Sequence, residues 1–103
     1  MSGVDPEIIL AIMANESSFD PTAVGVKGEV GLMGIYPKYW PMPSFNIDRN
    51  IKQGCGILIF YVVKNKGNLL IALDQYNGGK GYGKKILQLS KEVGHENKRN
   101  SRP

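Results

Sequence analysis

The chain has 103 residues, of which 42% are hydrophobic and 21% charged, with a net charge of +4 and an isoelectric point near 9.3. This length supports one small domain with a single core, and the longest apolar run, residues 57–63, is much shorter than a membrane span. The positive charge favours an anionic partner, and nucleic acid, a membrane surface and an acidic cell wall all remain open.

The sequence contains no recognisable cofactor or metal site. A single cysteine, Cys55, and a single histidine, His95, cannot supply the nitrogen and sulfur ligands of a tetrahedral zinc site, and no carboxylates have metal-binding spacing. Cys55 lies in an apolar helical run, so we predict a buried, unreactive thiol. The start of the chain has no secretory signal peptide. We therefore expect a domain of a longer chain, a mature form, or delivery by another route such as a phage particle or a lysis system.

The first predicted helix, residues 6–17, ends close to an acidic residue. Asp5 can cap this helix and Pro6 suits its first turn. Helical spacing places three apolar side chains and one acid on the same face: Ile9, Ile12, Met13 and Glu16. Apolar neighbours remove water from the charged carboxylate, so the pKa of Glu16 should rise and keep it protonated near neutral pH. We interpret Glu16 as a catalytic acid, and the alternative is a solvated glutamate on the last helical turn.

A loop with glycines at positions 25, 28, 31 and 34 follows the first helix. This spacing fits no phosphate-binding fingerprint, and no strand precedes it. Glycine lets the backbone curl tightly beside a ligand, so we predict a glycine-rich substrate loop. Tyr39 and Trp40 come next, in a segment rich in proline and aromatic residues. Two roles are open for them, stacking on sugar rings and packing over the core.

Three further helices are predicted, and no convincing strand. The second, residues 49–65, begins after Asp48 as its cap and carries an apolar stripe. The third, residues 69–77, brings Tyr76 to a helix end, and the fourth covers residues 83–93. Residues 94–103 are polar and basic, and we predict a disordered tail there. The sequence therefore predicts a mainly α-helical domain over residues 1–93.

The residue order resembles that of the lysozyme-like lytic transglycosylases of the SLT type, which cleave the glycan strands of bacterial peptidoglycan. The resemblance covers most of residues 4–93 and implies a small lysozyme-like helical domain. The positions that carry it are Glu16-Ser17, Phe19, Pro21, Ala23, Gly28, Gly31-Leu32-Met33, Asn50-Ile51, Gly54, Tyr76-Asn77 and Gly79.

The resemblance implies that Glu16 is the single acid/base. It would protonate the oxygen between N-acetylmuramic acid and N-acetylglucosamine, then take the proton of the muramyl 6-hydroxyl as a 1,6-anhydro ring closes. The substrate's own acetamido group removes the need for a second carboxylate. Tyr76 is the candidate to fix the Glu16 rotamer through its hydroxyl. Ser17 is expected to brace the loop and to contact substrate, Met33 to line the sugar site, and Asn77 to hold the adjacent turn or contact substrate.

Three residues depart from the family pattern. Gly25 stands where a serine is usual, and Gly34 stands where a glutamine is usual. Losing each neutral hydrogen bond to sugar should weaken binding by about 0.5–1.5 kcal/mol. Glu29 stands at a position that is usually small, and we expect it to orient a water and shift the outcome from ring closure towards hydrolysis.

We therefore expect a peptidoglycan-cleaving enzyme that acts at the bacterial cell wall without a cofactor, a membrane span or nucleic acid. Carriage in a phage particle or a larger envelope assembly would account for the missing signal peptide. One alternative is a non-catalytic relative that binds or spaces glycan, as Gly25 and Gly34 suggest. Another is a small basic nucleic-acid binder, suggested by Lys84-Lys85 and Lys98-Arg99.

Overall fold

A computed structural model describes residues 3–100, with side chains described for residues 3–94. This part of the chain folds into four helices: α1 Pro6–Ser17, α2 Ile47–Lys64, α3 Leu69–Asn77 and α4 Tyr82–Asn100. Helix α4 packs against α1 and α3, and α3 also packs against α2. Residues 3–100 contain isolated β-bridges rather than strands. The prediction of a mainly α, small lysozyme-like domain is confirmed.

Helix α1 has the bounds that the sequence predicts. The Asp5 side chain accepts a hydrogen bond from the Glu7 N–H at 2.9 Å, and Pro6 occupies the first turn. The helix ends at Ser17 because Ser18 adopts a left-handed conformation with φ 51°. Its apolar face, which includes Ile9 and Ile12, is buried in the core and fixes the rotation of the helix about its axis. Glu16 is thereby placed at the edge of that core.

Helix α2 begins at Ile47, two residues before its predicted start at Arg49. The cap is Asn46, whose side chain accepts from the Arg49 N–H at 3.0 Å, so the prediction that Asp48 caps this helix is wrong. Asp48 lies inside the first turn instead, where the helix dipole favours an acid. Cys55 is buried in this helix, as predicted.

Helix α4 extends seven residues beyond the predicted end at Val93, to Asn100. Gly94 does not stop the helix. It is buried where α4 meets α1, and a Cβ at this position would lie 2.6 Å from the Glu7 carboxylate. This glycine permits close packing within a continuous helix, so the predicted helix end at Val93 is wrong. Residues 101–103 and the side chains of Lys98 and Arg99 lie outside the described residues.

The glycine loop, residues 23–35, is fastened to α2 by the buried side chain of Asn50. The amide oxygen accepts from the Met33 N–H at 2.8 Å, and the amide nitrogen donates to the carbonyls of Val30 and Ser44 at 3.0 and 2.8 Å. Antiparallel bridges also join Val30 to Val24 and to Ile35. The loop therefore has a defined backbone course. No helix within residues 3–100 has both the length and the apolar character that crossing a bilayer requires.

Replacing Asn50 by alanine should destabilise the protein more than removing an exposed helix cap. The change leaves the Met33 N–H and two carbonyls without their partner, and each buried unpaired group costs about 1–3 kcal/mol. We expect Asn50→Ala to lower the free energy of unfolding by about 2–4 kcal/mol, measured by urea denaturation. The control is Asn68→Ala at the start of α3, with an expected loss of about 1 kcal/mol. Equal losses in the two variants would contradict this account of the loop.

Candidate active site

Glu16 lies on the last turn of α1, partly buried and covered by the glycine loop. Burial removes water from the carboxylate and is the main cause that raises the pKa of Glu16. The nearby charge of Glu29 raises this pKa further, whereas Tyr82, Asn15 and Lys85 lower it by stabilising the ionised form. The net direction is upward, as the sequence predicts. A carboxyl group with a raised pKa retains its proton closer to neutral pH and can act as an acid.

Gly34 brings the loop backbone close to the Glu16 side chain. A Cβ at position 34 would lie 2.6 Å from Glu16 Oε1 and 2.9 Å from Glu16 Cβ. The backbone of Gly34 also has φ +61°, a left-handed conformation that is unfavourable for residues other than glycine. The loop can approach Glu16 this closely because position 34 has no side chain. Gly34 therefore shapes the surroundings of Glu16 through its backbone.

Ser17 ties the end of α1 to the loop. Its hydroxyl lies 2.9 Å from the Leu32 carbonyl and 3.0 Å from the Met13 carbonyl, so one donor is shared between loop and helix. This position suits the bracing role expected from the sequence. A contact of Ser17 with substrate stays a prediction.

Tyr76 is buried, and its hydroxyl donates to the Met33 carbonyl at 2.7 Å. The expected hydrogen bond from this hydroxyl to Glu16 is thus replaced by a bond to the loop backbone. Glu16 is still close enough for its negative charge to raise the pKa of Tyr76, after the larger effect of burial. Tyr76 supports the site in this geometry by holding the loop that covers Glu16.

Met33 is buried beneath the loop, and a place for it in the sugar site stays a prediction. Its side chain has no exposed surface, and it packs against α2 where Gly54 leaves room for it. A Cβ at Gly54 would lie 2.6 Å from Met33 Cβ. Met33 anchors the loop from below through its side chain and through both of its backbone polar groups.

Tyr82 is a site residue that the sequence reading missed. It is the first residue of α4, it is 7% exposed, and its ring stacks on that of Tyr76 at 6.5 Å between centroids. Its side chain acts on the pKa of Glu16, yet the hydroxyl makes no hydrogen bond of regular geometry. The sequence offered one signal for this role: Tyr82 lies between Gly81 and Gly83, shortly after the predicted end of the third helix at Asn77.

An open cleft of about 560 Å³ lies beside this group of residues. Its lining is aromatic and basic, without a carboxylate: Lys27, Tyr36, Lys38, Tyr39, Trp40, Tyr61, Gln75, Tyr76, Asn77 and Gly78. Glu16 does not line the cleft itself. Burial is the main cause that raises the pKa of two wall residues, Tyr36 and Tyr76, and the charge of Glu16 raises both pKa values further. The cleft and the acid are therefore neighbours.

Tyr39 and Trp40 both lie on this cleft and differ in burial. Tyr39 is 67% exposed, whereas Trp40 is partly buried and meets Phe60 and Tyr61 edge to face at 6.0 Å. Trp40 thus combines packing with a place on the cleft wall. No group of three or more histidine, cysteine, aspartate or glutamate side chains within residues 3–94 is arranged to hold a metal ion.

Comparison with known proteins identifies the family. The family model described as the Transglycosylase SLT domain matches residues 1–99. The chain belongs to this transglycosylase family. A curated relative, named membrane-bound lytic murein transglycosylase C, from Sodalis glossinidius (strain morsitans), is 32% identical over 101 residues. The match covers 77% of this chain and 28% of the relative, so the chain spans less than a third of that protein. No solved structure matches the chain.

Two of the departures from the SLT pattern belong to one local arrangement. A Cβ at Gly25 would lie 2.6 Å from the Glu29 carboxylate, so the acid occupies the space beside position 25. Glu29 Oε1 accepts from the Lys27 N–H at 2.6 Å, and the Gly25 N–H donates to the Glu29 carbonyl at 2.8 Å. A side chain at position 25 would therefore require the Glu29 carboxylate to move from its present place.

We expect Gly34→Ala to disturb the site of this SLT domain. The added Cβ would meet Glu16, and the left-handed backbone costs an L-residue about 1–2 kcal/mol. The free energy of unfolding should fall by at least that amount in urea denaturation. Gly56→Ala is the control, because Gly56 is an exposed helical residue with no atom within 4 Å of an added Cβ. That change should stabilise the protein by about 0.5–1 kcal/mol. A neutral Gly34→Ala would contradict the close approach of loop and acid.

Proposed function

We propose that this domain cleaves the glycan strands of bacterial peptidoglycan at the β-1,4 bond between N-acetylmuramic acid and N-acetylglucosamine, with Glu16 as the single acid/base. The observation that carries the proposal is the position of Glu16, a partly buried carboxyl with a raised pKa under a braced loop and beside an open cleft. Membership of the SLT family supports the reaction class. The relative's printed name, a lytic murein transglycosylase, supports the same substrate.

The proposed reaction needs one proton carrier. Protonated Glu16 donates its proton to the glycosidic oxygen as the bond from that oxygen to the muramyl C1 breaks. The muramyl 6-hydroxyl oxygen then bonds to C1, and its proton passes to the Glu16 carboxylate. The products are an anhydro-ended strand and a free 4-hydroxyl, and the enzyme returns to its starting state. The substrate acetamido group assists at C1, so a second carboxylate is not required.

The cleft offers groups that suit a peptidoglycan strand. Aromatic side chains such as Tyr39 and Trp40 present apolar faces and polar edges, which is how such rings meet partly polar ligands. Asn77 adds an amide at the end of α3. Lys27 and Lys38 make the rim positive, which favours the carboxylates that peptidoglycan stem peptides carry. These residues are our candidates for substrate contact.

With this proposed substrate, the domain would act at the bacterial cell wall, in the periplasm or outside the cell. Association with a phage particle or another envelope assembly stays a prediction from the sequence. Binding of glycan without cleavage is the main alternative function, and binding of nucleic acid is the other. Cleavage of purified peptidoglycan separates these functions.

Glu16→Gln should abolish cleavage while the protein stays folded. The substitution keeps the size of the side chain and removes the transferable proton, so we expect the rate to fall by at least about 100-fold. Mass spectrometry of the soluble products from purified peptidoglycan measures this, together with the circular dichroism spectrum. Glu92→Gln, which changes an exposed glutamate on α4, is the matched control and should keep full activity.

The products decide between the functions. Anhydro-ended fragments that require Glu16 would establish a transglycosylase. Reducing-end fragments that require Glu16 would establish a hydrolase. A fully active Glu16→Gln protein would overturn the role of this residue. Wall binding without products from the parent protein would favour a non-catalytic relative, and DNA binding with a steep salt dependence would favour the nucleic-acid function.

We further propose that Glu29 orients a water and sets the share of hydrolysed product. Its carboxylate is held in the loop by the Lys27 N–H, and its charge acts on Glu16. Glu29→Gln retains an oxygen for the Lys27 N–H and removes the negative charge. We expect a lower ratio of reducing-end to anhydro-ended products. The total rate of cleavage should change by a smaller factor than this product ratio. An unchanged ratio would leave Glu29 with a role in the loop alone.

A further inference from the structure

The hydroxyl of Tyr82 is an unusual group in this site. Among the described residues, it is the buried side-chain polar atom that lacks a hydrogen-bond partner. Buried hydroxyl groups are nearly always paired, because losing water without a replacement bond is unfavourable. An unpaired hydroxyl that lies next to a candidate catalytic acid therefore needs a functional explanation.

The fold leaves this hydroxyl little freedom to move. The Gly83 N–H donates to Asp74 Oδ1 at 2.7 Å, which joins the start of α4 to α3. An added Cβ at Gly83 would overlap the Leu70 carbonyl, so the two helices are in close contact here. The Tyr82 ring also stacks on Tyr76 with an angle of 18° between the rings. Tyr82 is thus held from two sides.

The group that this hydroxyl faces is Glu16. The two side chains are near enough for Tyr82 to lower the pKa of Glu16, and for the charge of Glu16 to raise the pKa of Tyr82. The glutamate side chain has three rotatable bonds, whereas Tyr82 is fixed by its neighbours. Hydrogen bonds of catalytic groups are often long in an unliganded site and shorten when substrate binds. A small rotation of Glu16 would complete the bond.

The other polar groups around Glu16 come from each element that packs near it. Asn15 of α1 is 3.5 Å from Glu16 Oε2, at the limit of a hydrogen bond. Lys85 of α4 is exposed and acts through its charge, as Glu29 of the loop does. Burial raises the pKa of Tyr76 of α3 and of Tyr36, the residue after the loop, and the charge of Glu16 raises both further. Tyr76 is already bonded to Met33, so Tyr82 is the buried donor still available.

We propose that Tyr82 is a positioning residue for the acid, and that its hydroxyl donates to one oxygen of the Glu16 carboxyl and leaves the other oxygen to carry the proton. This inference rests on the proposed function for its effect on catalysis. It gives Tyr82 the role that the sequence suggested for Tyr76. The hydroxyl itself neither gains nor loses a proton in the reaction.

Tyr82→Phe removes the hydroxyl and keeps the ring. We expect kcat on purified peptidoglycan to fall about 10- to 100-fold, the usual effect of a lost hydrogen bond to a charged group. The hydroxyl stabilises the ionised carboxylate, so its loss raises the pKa of Glu16. The acid must be protonated to act, so activity falls as pH rises through this pKa. The alkaline limb of the pH profile should therefore move to higher pH.

Tyr76→Phe is the matched control, because this ring is the stacked neighbour and its hydroxyl serves the loop. We expect it to lower the melting temperature and to leave the alkaline limb in place. A Tyr82→Phe variant with an unmoved limb, or one whose activity loss only follows its melting temperature, would overturn the proposal. A limb that moves in Tyr76→Phe and stays in Tyr82→Phe would also overturn it.

A direct titration separates this inference from the proposed function. The carboxyl carbon of Glu16 can be followed by NMR against pH in the parent protein and in Tyr82→Phe. The resonance is assigned with Glu16→Gln. A higher pKa of Glu16 in Tyr82→Phe supports the contact even if the protein does not cleave peptidoglycan. An equal pKa in the two proteins overturns the contact even if the protein cleaves peptidoglycan.

Discussion

The side-chain amide of Asn50 is the interaction on which the site depends. Its three hydrogen bonds fix the backbone of the glycine loop at Met33 and Val30, and join the segment before α2 at Ser44. With the Met33 N–H held from one side, the Met33 carbonyl faces Tyr76, which donates to it. Gly34, the next residue, is thereby set against Glu16. One buried amide thus determines how closely the loop covers the acid.

Burial of Glu16 beneath the loop favours its proposed function as an acid but lowers the stability of the fold when Glu16 is ionised. The loop and the apolar face of α1 remove water from Glu16, which raises its pKa and suits an acid catalyst. A carboxyl whose pKa is higher in the folded state stabilises the fold below its unfolded pKa, and this contribution is lost as pH rises through the folded pKa. Above its folded pKa, the ionised form of Glu16 therefore weakens the fold. The hydrogen bonds of Ser17 and Asn50 hold the loop in place against this effect.

The sequence predicted the features that depend on neighbouring residues. The bounds of α1 follow from Asp5, Pro6 and the apolar period, and these features place Glu16 correctly. The predictions were wrong where contacts between residues far apart in the chain determine the structure. The predicted end of the fourth helix at Val93 was wrong, and the residue beyond it, Gly94, packs against Glu7 of α1, which is far away in the chain. The roles of Tyr76, Met33 and Tyr82 depend on how α3, the loop and α4 come together, and no local spacing encodes that arrangement.

The departures from the family pattern are better understood as coupled changes than as losses. Counting Gly25 and Gly34 as missing hydrogen-bonding side chains favours a non-catalytic relative. In the folded chain, however, the Glu29 carboxylate occupies the space beside Gly25 and supplies polar oxygens there. Position 34 cannot carry a side chain while the loop lies this close to Glu16. At both positions, the absence of a side chain on the glycine leaves room for the side chain of an acid, Glu29 beside Gly25 and Glu16 beside Gly34. The arrangement around Glu16, rather than the number of side chains that match the family pattern, is therefore the relevant observation for the proposed activity.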